Sequence, residues 1–183
     1  IHYPLPWYES EGDGYEGFSE FLNQRPWMGF YNSDRLLVGS VGNALEERFV
    51  SPIHVGWSKL IKLNHDFVGR AALEQQIRNP DRTVVTLEWN ADDIMEVYGS
   101  QFRGTDVEPF DYIEDRPNDV YYVSGSQFIY HADKVMSGER QIGISTGRGV
   151  SHYYRRMISL AFIDPKFTKI GTELSVIWGN EGR

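Results

Sequence analysis

Gly143-Ile144-Ser145-Thr146-Gly147 spells the Gly-x-Ser-x-Gly of a nucleophile elbow. An elbow needs a strand before it and a helix after it, so that a strained turn lifts the serine toward an oxyanion hole. Arg148-Gly149-Val150-Ser151 follows and reads as loop, so Ser145 is expected at a strand-end turn. Five histidines, His2, His54, His65, His131 and His152, stand apart, with no pair at helical or zinc-finger spacing. A metal site would have to be assembled wholly by tertiary contact, and surface or hydrogen-bonded core histidines are the expectation. Gly147-Arg148-Gly149 lacks the third glycine and following helix of a dinucleotide loop, and nothing resembles a Walker loop. His152-Tyr153-Tyr154-Arg155-Arg156 sets two guanidinium groups beside aromatic rings. That pattern suits a carboxylate or phosphate, or an outward-facing strand entry with cation-π contacts, and the second is the plainer reading. Tyr3, Trp7 and Tyr8 form an aromatic cluster able to stack on a flat ligand or to plug a gap between domains. Thr105 to Asp119 is dense in Asp, Glu and Pro but lacks EF-hand spacing, and reads as a solvated acidic loop.

The elements that must position these residues change character along the chain. Tyr3-Pro4-Leu5-Pro6-Trp7-Tyr8 is extended, because each proline disfavours helix in its predecessor. Tyr15 to Leu22 suits a short helix stopped near Pro26, Leu36 to Val38 a strand, and Ala44 to Phe49 a helical turn or short strand. Gly56 to Leu63 alternates in its second half and is expected to form a strand. A helix follows, capped by Gly69 and ended by Pro80, with Val68 and Leu73 as a hydrophobic staple. Thr83 to Trp89 should be a strand with one buried face, and Asn90 should cap a helix running to about Gln101 with Ile94, Val97 and Tyr98 inward. From Val120 onward strands and turns take over. Gln127 to Ser137 and Arg140 to Thr146 make a hairpin about Gly138, Met157 to Ile163 a central strand, and Thr172 to Trp178 the last strand. The fold class is α+β and β-rich, and the second part is expected to close, or nearly close, into an antiparallel β-barrel that hides its edges.

A chain of 183 residues with 40% hydrophobic content can bury a substantial core. Its net charge of -8, without a basic run, argues against a nucleic-acid partner. With no cysteine it has no disulfide and no thiolate chemistry, and no apolar run approaches the roughly 20 residues of a membrane helix. A cytoplasmic protein with no membrane partner is the expectation. The chain opens on Ile1 and not on Met, so it is expected to be a piece of a longer polypeptide.

Pro52 to Gly56, then Lys62-Leu63, then Asp66-Phe67-x-Gly69-Arg70-x-Ala72-Leu73, resembles the domain crossing of the aminomethyltransferase family, the T-protein of glycine cleavage and its relatives. Arg156 to Asp164 and Gly171 to Gly179 resemble the closing strands of its C-terminal barrel. Tyr3 to Pro6, Asn43 to Gly56, Asn64 to Phe67, Gly143-Ile144-Ser145 and Val176 to Glu181 look most similar to the O-demethylase branch, the vanillate and syringate demethylases. The resemblance covers almost the whole chain. It implies that residues 1–77 complete a folate-binding domain and that 82–183 form the barrel. It also implies tetrahydrofolate as cofactor, accepting a one-carbon unit on N5 from a small-molecule methyl donor, an aromatic methyl ether. The family's catalytic groups lie upstream of a Leu-Glu-x-Gly motif absent here, so no catalytic residue is expected within this chain, which alone should be inactive and should need the N-terminal part of the same protein. Tyr3, with Trp7 and Tyr8, is expected to border the cofactor tunnel. The competing expectations are a glycine-cleavage aminomethyltransferase, served by a lipoyl carrier protein, and a non-catalytic folate-binding or assembly module.

Overall fold

The structure, a computed structural model, describes residues 20–21, 24–25, 35–42, 47, 50–113, 120–123 and 127–180. Tyr3, Trp7 and Tyr8, most of the expected helix at 15–22, most of the segment 44–49 and the end of the acidic loop lie outside them. Eight strands and two α-helices are present among the described residues: β1 (Arg35–Val38), α1 (Arg70–Arg78), β2 (Thr83–Glu88), α2 (Ala91–Ser100), β3 (Val120–Val123), β4 (Gln127–His131), β5 (Asp133–Ser137), β6 (Arg140–Ser151), β7 (Arg156–Ile163) and β8 (Ser175–Val176).

Five strands form an antiparallel sheet in the order β2-β7-β6-β5-β8, and three form a smaller sheet, β1-β4-β3, in which β1 runs parallel to β4. The α+β, β-rich class is what the sequence called for. Among the described residues no ladder joins the edge strands β2 and β8, so closure into a barrel is not seen. The stretch 127–137, expected to be one strand, breaks at Ala132 into β4 and β5, which enter different sheets. Ala132 N–H donates to the Val38 carbonyl and its own carbonyl accepts the Val41 N–H, so the 38–41 turn occupies the break.

Alternation along the strands sends side chains to opposite faces of the five-stranded sheet. One face buries Ile144 and Phe162 with Ala132 and Val41, joined by Val50, Val55 and Val84. The other buries Val135, Ile142, Ala161 and Ile163, joined by Val85, Leu87, Phe167, Leu174 and Val176. Strand β2 therefore contributes to both faces, through Val84 on one and Val85 and Leu87 on the other. Strand β7, paired on both sides, is the interior strand its apolar run suggested.

Strand β6 carries two irregularities. Val135 pairs with Gly143 and Met136 with Gln141, so Ile142 is an extra residue, turned onto the Val135 face. Thr146 pairs with Leu160 and Gly149 with Ile158, so Gly147 and Arg148 together stand opposite Ser159. Gly147, at φ 62, takes the left-handed conformation that such a bulge uses.

Helix α1 starts after Gly69, which is left-handed at φ 89, and stops at Asn79, just before Pro80. The staple does not form, because Val68 is fully exposed. Its place at the helix start is taken by Arg70, whose Nε reaches Glu74 at 2.8 Å and whose Nη1 reaches Asp66 at 3.0 Å. The strand expected before it is also absent: Ser58–Leu60 is a 3-10 turn and 61–63 joins no ladder, since Leu60 faces solvent and no neighbouring strand receives the alternation. Helix α2 matches its expectation. Asn90 Oδ1 accepts from the N–H groups of Asp92 and Asp93, and Ile94, Val97 and Tyr98 lie on the half-buried side.

Candidate functional site

On the Val135 face, the sheet changes from apolar to polar toward the end where β4 meets β5. Asp133 pairs across to Ser145, which pairs with Ala161, while Ser159 pairs with Leu87 of β2. Ser145 Oγ and Ser159 Oγ lie 2.7 Å apart, and Trp89 Nε1 donates to Ser159 Oγ at 2.9 Å. The second bulge of β6 aims Arg148 onto the same face, its guanidinium 4.5 Å from the centre of the Trp178 ring. The edge contact of Trp178 with Trp89 has ring centres 5.5 Å apart, and His131 lies 5.1 Å away. Trp178 Nε1 donates to the Asp111 carbonyl, and Asn180 N–H donates to Asp111 Oδ2 at 2.7 Å. The acidic loop is thus solvated only in part: its 110–113 stretch is docked, with Tyr98 Oη donating to the Ile113 carbonyl.

Asp133 is the centre of this polar end. Its Oδ1 accepts the Ser40 N–H at 3.1 Å, it also accepts the Gly179 N–H, and its Oδ2 lies 3.3 Å from His131 Nδ1. Arg148 Nη1 is 3.3 Å from the same Nδ1. Ser40 Oγ donates to the Ile177 carbonyl at 2.6 Å and accepts from Lys134 N–H at 2.8 Å, and Gly39 N–H donates to Asn180 Oδ1 at 2.8 Å. Burial pushes the Asp133 carboxyl up from the ordinary carboxylate range to about 7, against the Ser40 N–H, the Arg148 charge and the Gly179 N–H, which all favour the ionised form.

Each sequence candidate has a place in this geometry or outside it. Ser145 is buried inside β6, with a strand and not a helix behind it, and its hydroxyl faces Ser159 and not a base. The elbow is excluded, and the expected strand-end turn becomes a strand interior. His54 is buried and bonded to Asp81 at 2.8 Å, His65 packs at a tilt against Phe67, and His131 belongs to the polar end. Among the described residues no three His, Asp or Glu side chains gather to hold a metal ion. The 152–155 turn is exposed, with Tyr153 packing edge-on against Tyr154 and Arg156 ion-paired to Glu88. The cation-π contact expected there is found instead at Arg148 and Trp178. Tyr3, Trp7 and Tyr8 are outside the described residues, and the ring of Trp178 is engaged by Arg148, Trp89 and His131. Sequence reasoning missed Asp133 and Arg148. Asp133 shares its side of β5 with fully buried Val135, a signal that strand alternation contained.

No described helix is long and apolar enough to cross a membrane. No family model matches the chain. The chain is 48% identical over 183 residues to a sesamin methylene transferase of Sinomonas sp., covering 100% of this chain and 39% of that protein. It is 34% identical over 179 residues to a syringate O-demethylase of Sphingobium sp., covering 94% of this chain and 36% of that protein. The chain spans less than two-fifths of the length of these curated relatives, and it is similar across nearly all of its residues to proteins named for methylene transfer and for O-demethylation.

Proposed function

We propose that this chain is part of an enzyme that takes a one-carbon group from an ether oxygen of a small aromatic compound and passes it to tetrahydrofolate. The observation that supports this reading is the 48% identity, over the whole chain, to a protein named as a sesamin methylene transferase, joined by the syringate O-demethylase at 34%. Both names describe removal of a one-carbon group from an aromatic compound. For a methyl ether the balance is simple: the carbon–oxygen bond breaks as a carbon–nitrogen bond forms at N5 of the folate, N5 then gives up its proton, and the departing phenolate takes up one. A hydrogen-bond donor at the ether oxygen lowers that barrier by stabilising the charge that develops there. In this proposal residues 1–77 complete a folate-binding domain, 82–183 form the β-rich domain beside it, Tyr3, Trp7 and Tyr8 border the cofactor, and the protein works in the cytoplasm.

The polar end of the sheet has no chemical step in this reading. Its groups are bonded to one another, and the part they play is to hold the 38–41 turn and the 177–180 segment in place. The test is turnover by the full-length protein given tetrahydrofolate and either syringate or sesamin. The expected outcome is a free phenol with stoichiometric methyl- or methylene-tetrahydrofolate, and none from the 183-residue chain alone. Turnover only with an aminomethyl-lipoyl carrier, or phenol release without folate consumption, would refute it.

A further inference from the structure

We propose that the open edge of β2 pairs with the same edge of a second copy of this chain, antiparallel about a two-fold axis at Val85, so that two five-stranded sheets become one. Backbone direction comes first. Trp89 N–H donates to the Met157 carbonyl, so these residues form a hydrogen-bonded pair, and in an antiparallel ladder such pairs alternate with non-bonded ones. The register of β2 on β7 is unbroken, so Thr83, Val85 and Leu87 direct their N–H and carbonyl groups at β7. Val84, Thr86 and Glu88 direct theirs to the other side, where β2 has no neighbouring strand among the described residues. No described residue bonds to those groups, and Thr86 and Glu88 are exposed. Edges are ordinarily blunted by a proline, a bulge, an inward charge or a very short strand. The opposite edge of the sheet, β8, is 2 residues long, whereas β2 has 6, and neither proline, bulge nor charge interrupts its Thr83-Val84-Val85-Thr86-Leu87 run.

A second copy is the occupant because the edge is complementary to itself. One antiparallel register sets Val84 against Thr86 of the second copy, so that outward groups meet outward groups, and it brings Arg82 opposite Glu88 at both ends. Arg82 already holds Glu47 at 2.7 Å and Glu88 holds Arg156. Across each end of the joint the order becomes Glu47, Arg82, Glu88, Arg156, a row of alternating sign in which the first two residues belong to one copy and the last two to the other. Shifted by one pair of residues, the next register in which outward groups meet sets Thr86 against itself and Glu88 against Val84, with no ion pair. The chain as a whole carries a net charge of -8, which opposes association, while this edge, with Arg82 at one end and Glu88 at the other, carries none. A joint of one strand per copy is small, so the dimer is reversible, with dissociation at about 10 µM. Nothing in this association depends on the chemistry proposed above.

The experiment is sedimentation velocity on the full-length protein that carries this chain, which should pass from monomer to dimer between about 1 and about 100 µM. Thr86→Pro removes an outward N–H and leaves the β2–β7 bonds in place, as proline is tolerated on the solvent side of an edge strand. It should weaken dimerisation at least about tenfold. Val85 faces its own copy as a non-bonded pair, close enough for a disulfide, so Val85→Cys should give an oxidised dimer whose bridge maps to that position by mass spectrometry, and Thr86→Cys should not. A protein that stays monomeric throughout, a dimer indifferent to Thr86→Pro, or a bridge through position 86 and not 85 would overturn the proposal. If Thr86→Pro does not fold, the two cysteine variants decide.

Discussion

The two ends of one sheet face hold the chain together by opposite means. At the apolar end, Val135, Ile142, Ala161 and Ile163 meet side chain to side chain beneath Phe167, Leu174 and Val176. At the polar end, Asp133, Ser145, Ser159, Arg148, Trp89 and Trp178 meet through hydrogen bonds and a cation over a ring. The first kind of contact is non-directional and scales with buried area; the second depends on each partner being present and correctly protonated. The apolar end therefore supplies stability insensitive to pH, and the polar end supplies register, fixing where the 38–41 turn and the 177–180 segment sit.

Three substitutions break or sharpen that contrast. Ile163→Ala at the apolar end empties a site 1% exposed and should cost about 4 kcal/mol in urea unfolding, equally at pH 5 and pH 8. A pH-dependent loss would mean that the two ends are coupled. Gly143→Ala lies where the ends meet. A Cβ there would stand 2.1 Å from the Phe162 carbonyl oxygen and 2.7 Å from Ile163 Cα, both backbone atoms that cannot swing aside. About 3 kcal/mol of destabilisation is expected, with weakened exchange protection along the β6–β7 ladder in particular. Ser159→Ala deprives both Ser145 Oγ and Trp89 Nε1 of their partner. It should cost about 2 kcal/mol, and the double variant with Ser145→Ala should cost less than the sum of the singles, because the two hydroxyls share one bond.

Legibility in the sequence divides along similar lines. The capped helix after Asn90, the helix between Gly69 and Pro80, strand β2 and the interior strand β7 were readable because each depends on local signals: a cap, a helix breaker, an alternation, an unbroken apolar run. The expected staple at Val68 and the expected strand before it failed because both require a packing partner that sequence spacing alone does not supply. Splitting of 127–137 at Ala132 was hidden for a related reason, since it depends on the 38–41 turn arriving from far along the chain. The Gly-x-Ser-x-Gly pattern was legible as a motif and correctly set aside, yet its first glycine is required by the close approach of β7 and not by any turn. Arg148 was the least legible of all. Its neighbours Gly147 and Gly149 suggested loop, and only a bulge inside a continuous strand brings its charge over Trp178.

The two bulges of β6 act on the alternation of the strand as two frameshifts of opposite consequence act on a reading frame. Gln141, paired with Met136, lies on the face opposite Val135; between the bulges that face belongs to the even-numbered Ile144 and Thr146; beyond the second it belongs to the odd-numbered Gly149. The phase is lost once and regained once, so residues outside the pair of bulges keep the alternation an uninterrupted strand would have given them. Deleting the extra residue at either bulge leaves every remaining residue on its own face and with its own partner, whereas a single deletion between the bulges, where the alternation is regular, shifts the residues beyond it to the wrong face. Length variation in this strand is therefore tolerable one residue at a time at the bulges and not between them.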